Sequence, residues 1–110
     1  MAMTNSMAWV LLAIAGLLEV IWATSMKASA GFSKPLFATL SIAGAWASFA
    51  LLGLAMKSLP AGTAYAVWVG IGSVGVAVLG IVLFNESVTP ARLGCIGLIV
   101  AGVLGLKLAS

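Results

Sequence analysis

The chain has 110 residues, of which 64% are hydrophobic and 6% charged, with a mean hydropathy of +1.28. A soluble domain carries about a quarter of its residues as charges, so these values exclude one and describe a single membrane domain with short loops. The net charge of +3 comes from isolated bases with no basic run, which argues against nucleic acid as a partner. A single cysteine, Cys95, excludes an intrachain disulfide, and with no His and no Cys cluster neither a metal site nor a cofactor is expected.

Residues 1–6, MAMTNS, carry no Lys or Arg, and the apolar run behind them is too long for a signal peptide and holds a Glu. They are expected to form a disordered extension, with the membrane domain spanning 7–110. Four apolar runs predict helices over about 7–27, 36–56, 61–84 and 91–108, which makes an all-α protein with four transmembrane helices. Pro35, Pro60 and Pro90 each fall just before a helix or in its first turn, where a missing N–H costs nothing. Thr89-Pro90 reads as an N-cap followed by the first helical residue. The fourth run is a turn short and either tilts less or reaches Ala109. The loops are short enough that consecutive helices should be antiparallel neighbours.

The first helix holds the residue that matters most. Met7–Met26 reads MAWVLLAIAGLLEVIWATSM, twenty residues whose only charge is Glu19. Such a helix rises about 30 Å, the thickness of a bilayer's hydrocarbon core. Glu19 falls near the middle, where a carboxylate costs roughly 2.5–3.5 kcal/mol. The other acid, Glu86, lies in a loop. Helical spacing puts Leu12, Ala15, Gly16, Glu19, Trp22, Ala23 and Met26 on one face. Gly16 and Ala23 leave room around the carboxylate, and Trp22 offers an indole N–H and a π face. Glu19 is either a structural acid bonded to a Ser or Thr, or a site for protons and cations. With no Lys or Arg at its depth, the second reading is favoured.

The second helix aligns Ser41, Gly44, Ala45, Ser48 and Leu52, a small and faintly polar stripe. Ser48 lies at the depth of Glu19 and could bond the carboxylate, or else its own i−4 carbonyl. Trp46 falls on the other side, toward lipid or packing. In the third helix Tyr65, Trp68, Gly72 and Gly75 share a face, and two aromatics with polar tips would line a cation site. Tyr65 also fits an interfacial belt, being near the helix start. Gly70, Gly72 and Gly75 weaken the helix in its middle and are hinge candidates. The fourth helix carries Gly94, Gly97, Ala101 and Gly105, a small-residue seam for close helix contact, either between copies or within one.

An even number of spans places both termini on one side, with Lys57 and Lys107, and puts Lys27, Lys34 and Arg92 on the other. The positive-inside rule needs an excess that this chain does not supply. Dual topology is expected, with an accident of small counts as the alternative. Four helices are too few to enclose a pathway and still pack. A mid-membrane transport site between inverted repeats would need two copies in opposite orientations, an antiparallel homodimer.

These residues together resemble the small multidrug resistance family. The resemblance is carried by Ala15-Gly16-Leu17-Leu18-Glu19-Val20, by Lys27 with Gly31-Phe32, by the run from Leu59-Pro60 through Gly62-Thr63-Ala64-Tyr65-Ala66-Val67-Trp68, and by Leu98-Ile99 with Gly102-Val103. It covers almost the whole chain from Met7. Trp22 three residues after the acid, and Lys57-Ser58-Leu59-Pro60 ahead of Gly62, are similar to the guanidinium-exporter subtype. Val69 departs from the hydroxyl residue usual after Trp68. The resemblance implies a multi-pass transporter of a prokaryotic cell membrane, acting as an antiparallel dimer. It implies that Glu19 binds substrate or protons, that Trp22 and Ser48 hold it, and that Tyr65 and Trp68 complete the pocket.

Burial favours a neutral acid and a nearby cation favours a carboxylate. Guanidinium binding should therefore release protons from a coupled pair of Glu19 residues, one per copy, and reprotonation should expel the cation. Three rivals stay open: a broader exporter of quaternary ammonium or other hydrophobic cations, a dual-topology ion channel, and a non-transporting partner subunit.

Overall fold

The computed structural model describes residues 5–109. Its order is α1 (Asn5–Ala28), α2 (Pro35–Ala55), α3 (Ala61–Phe84) and α4 (Pro90–Ala109). All four helices are long and apolar enough to cross a membrane. Each boundary follows from local chemistry. Pro35 and Pro90 open α2 and α4, while Pro60 stands just ahead of α3. The Arg92 backbone N–H donates to Thr89 Oγ1 at 3.1 Å, so Thr89 caps α4 as its position before proline implies. The fourth helix does reach Ala109.

The N-terminus begins its helix earlier than the sequence implies. Asn5 and Ser6, assigned above to a disordered extension, form the first residues of α1, and the remainder of that extension lies outside the described residues. Extending an existing helix by two residues needs no new nucleus, so a polar pair continues the apolar span.

The α1–α2 loop turns on Ser29. Its hydroxyl donates to the Met26 carbonyl at 2.7 Å and accepts the Phe32 N–H at 2.9 Å. Ala30, Gly31 and Phe32 then take φ of +51°, +73° and +66° in succession, a left-handed run that only glycine adopts without steric cost. The α3–α4 loop is fixed by Glu86 and Arg92, which pair at 2.6 Å, while Arg92 also donates to the Ser87 carbonyl at 3.1 Å.

The helices do not follow one another in space as they do in sequence. α1 packs along both α2 and α3, whereas α2 and α3, although consecutive, scarcely meet, and α4 packs on α3 alone. The expectation that all consecutive helices are neighbours therefore fails at α2–α3. The small face of α1 takes up both contacts. Gly16 lies against α3, where an added Cβ would sit 2.6 Å from Ile71, and Gly44 of α2 lies against α1, where one would sit 2.9 Å from Trp22. The result is a slab of 41 × 35 × 16 Å with α1 in its centre. At the termini, Lys107 of α4 lies 4.9 Å from the Trp9 ring centroid, so the N-terminal end of α1 and the C-terminal end of α4 occupy one side.

The buried core comprises Ala8, Leu12 and Ala15 of α1, Leu52 and Ala55 of α2, Leu59, and Ala64, Val67 and Trp68 of α3. No residue of α4 is buried, and Trp46 of α2 is 73% exposed, facing away from the bundle. Leu12 is the largest wholly buried side chain. Leu12→Ala is expected to destabilise the protomer by about 2–4 kcal/mol through the cavity it leaves, read as a lowered thermal unfolding midpoint in detergent.

Candidate functional site

Glu19 projects from the central helix toward α3. Its Oε1 rests on the backbone of Gly72, in the space that a Cβ there would fill. Gly72 is buried, and its lack of a side chain is what lets a carboxylate fit between two packed helices. Gly75, one turn on, receives Val20 in the same way, and Gly70 receives Val103 of α4. The three glycines that weaken α3 are thus contact points for α1 and α4, and the helix runs unbroken through them.

Ser48 joins three helices. It is wholly buried on α2, donates to the Ala15 carbonyl of α1 at 2.7 Å, and accepts the Trp68 indole N–H of α3 at 2.9 Å. The Ala15 carbonyl is the one that helix geometry pairs with the Glu19 backbone N–H. Neither partner anticipated for Ser48 is the one it takes: its bond goes to the backbone one turn before Glu19, not to the carboxylate or its own helix. The close approach of α2 to α1 at Gly44 brings the foreign carbonyl within reach.

A row of four rings flanks this junction. Trp22 of α1 meets Phe49 of α2 edge-on, with centroids 6.1 Å apart. Phe49 meets Trp68 at 5.7 Å, and Trp68 meets Tyr65 at 5.5 Å. Trp68 is buried, while Phe49 and Tyr65 are exposed. Phe49 is absent from the sequence-based site. Its spacing of four from Ala45 and of eight from Ser41 places it beside the polar stripe of α2, a signal hidden by the apolar residues around it. Trp22, Ser48, Tyr65 and Trp68 are thus linked through Phe49 and the Ser48 bond across α1, α2 and α3, while Glu19, one turn before Trp22, rests against Gly72. Gly94, Gly97 and Gly105 of α4 stand apart, with open space where a Cβ would be, and Ala101 is exposed beside them. The small seam of α4 makes no contact within the described chain.

Three polar atoms among the described residues are buried without a hydrogen-bond partner: Glu19 Oε1, Trp22 Nε1 and Thr24 Oγ1. The first two belong to neighbouring turns of one helical face. The Glu19 oxygen accepts, near aromatic faces that attract positive charge, whereas the Trp22 N–H only donates and needs an acceptor of its own. Such a site suits a small cation with N–H donors. Among the described residues no cluster of His, Cys, Asp or Glu could hold a metal ion.

Four apolar spans around an intramembrane acid define a multi-pass membrane protein of the kind that moves small ions or molecules. Residues 7–99 match the family model of the Small Multidrug Resistance proteins. The chain is similar to a guanidinium exporter of Yersinia pseudotuberculosis serotype I (strain IP32953), with 61% identity over 104 residues, 94% of this chain and all of the relative. It is 55% identical to a guanidinium exporter of Salmonella typhimurium (strain LT2) and 54% identical to one of Escherichia coli (strain K12). Each of these alignments covers 94% of this chain and 99% of the relative. The chain belongs to the Small Multidrug Resistance family and is a multi-pass protein of the prokaryotic inner membrane.

Two substitutions separate the carboxylate from its supports. Gly72→Ala is expected to displace Glu19 while the helices stay folded, seen as a shifted tryptophan emission with unchanged circular dichroism. Ser48→Ala leaves the Trp68 N–H buried without an acceptor and should destabilise by about 1–3 kcal/mol, measured by thermal unfolding in detergent.

Proposed function

We propose that this chain is a proton-coupled antiporter that exports guanidinium by alternating access, acting as an antiparallel homodimer of dual topology. The observation that carries the proposal is the unpartnered Glu19 oxygen held inside the bundle against Gly72, one helical turn from Trp22. The relatives named guanidinium exporters support the substrate. Guanidinium is planar, so one carboxylate can accept two parallel N–H bonds from its edge while an aromatic ring covers its face.

Coupling follows from competition. A proton on Glu19 removes the charge that holds the cation, and a bound cation holds the acid in its ionised form. Two Glu19 residues, one per copy, titrate as a pair. The open seam of Gly94, Gly97, Ala101 and Gly105 is the contact between copies, and the near-equal Lys and Arg counts on the two sides allow insertion both ways. Exchange of conformations between antiparallel copies turns the site from one side to the other, with α3 flexing at Gly70, Gly72 and Gly75. The family's multidrug description favours a second reading, a wider range of quaternary ammonium or other hydrophobic cations. Competition of such cations against guanidinium flux separates the two.

In liposomes holding the purified protein, external guanidinium should drive proton movement, and Glu19→Gln should abolish it; flux retained in that variant would falsify the proposal. Because protons and cation compete for one carboxylate, the apparent affinity for guanidinium should fall as pH is lowered, read from the concentration dependence of flux at several symmetric pH values. An affinity independent of pH would remove the coupling.

A further inference from the structure

Ser73 is a polar residue of the intramembrane region that the site above does not use, and it lies on an exposed face of α3. It follows Gly72 directly, so it lies within about 1.5 Å of the depth at which α3 receives the Glu19 carboxylate. Its side of α3 is open. Tyr65, Val69 and Ser73, spaced by four, are all exposed, and no helix of the same chain covers them. The stripe therefore begins at the aromatic end of the site and reaches the level of the acid.

The hydroxyl is also oriented. Ser73 Oγ donates to the Val69 carbonyl at 2.6 Å. A serine hydroxyl has one proton and two lone pairs. With the proton committed to the backbone, the oxygen can only accept. Ser48, the other hydroxyl at this depth, already accepts from Trp68 and donates to Ala15. Guanidinium donates through every N–H and accepts nothing. When Glu19 takes two N–H groups from one edge, the remaining ones need acceptors, and each left unmet in a water-poor site costs affinity.

We propose that Ser73 is a further substrate-binding residue, an acceptor for the N–H groups of the cation on the open side of α3. The inference rests on the guanidinium reading above and deepens it. Ser73 selects for cations that carry N–H donors over those that carry none. The open face places this contact between copies, where α3 of one chain meets cation held by the other.

The test is guanidinium-driven proton flux in proteoliposomes for the wild type, Ser73→Ala and Ser73→Thr, with tetramethylammonium, which has no N–H, as competitor. Ser73→Ala should raise the apparent KM for guanidinium by about fivefold to tenfold, leave the maximal rate within about twofold, and leave the inhibition constant of tetramethylammonium unchanged. Ser73→Thr, which keeps the hydroxyl, should restore the wild-type KM. An unchanged KM in Ser73→Ala, beside a responsive wild type, would overturn this inference alone and place Ser73 against lipid. Equal weakening of both cations would assign it a packing role and overturn it as well. A wild type without guanidinium-driven flux would overturn the functional reading, and the inference with it.

Discussion

One hydroxyl fixes the geometry on which the site depends. In hydrocarbon no water is available to satisfy a stray polar group, so a buried O–H and a buried indole N–H must find partners within the protein. Ser48 meets both needs at once, with α1 through a backbone carbonyl and α3 through Trp68. Because α2 and α3 scarcely touch otherwise, this bond is where their separation is set. The carbonyl it uses lies one turn before Glu19, so the register of α1 against α2 and the position of Trp68 are settled by the same hydroxyl.

Small residues then decide how near the helices come. Between apolar helices in lipid there is no hydrophobic gain in burying one apolar face against another, and close contact of backbones supplies van der Waals energy instead. Gly16 against Ile71, Gly44 against Trp22 and Gly75 against Val20 bring α2 and α3 onto α1 from two sides. Gly72 differs from these three in that a carboxylate fills its missing side chain, as that of Glu86 does at Gly80 near the end of α3. A packing device used elsewhere to save space here makes room for charge.

The elements were legible from the chain because each depends on its own residues. Length and apolarity gave four spans, the prolines gave their starts, and Thr89 gave a cap whose bond to Arg92 is present. The intramembrane acid was legible because it stands alone among apolar residues. Which helices touch was not legible, because residues apolar on every side do not distinguish a face toward protein from a face toward lipid. For the same reason Phe49 does not stand out between Trp22 and Trp68, whereas Asn5 and Ser6 read as outside the span because they are polar. The Ser48 bond left no trace in the sequence, since its acceptor is a backbone carbonyl, which every residue has.

The central position of α1 bears on how the protein is made. The first helix to leave the ribosome is the one onto which α2 and α3 later pack, and Gly72, which receives the Glu19 carboxylate, is translated a few seconds after it at ordinary elongation rates. During that interval the acid has no glycine notch beside it. The nascent chain must therefore carry an uncovered carboxylate through the insertion machinery, and the final arrangement closes over it only when the third helix arrives.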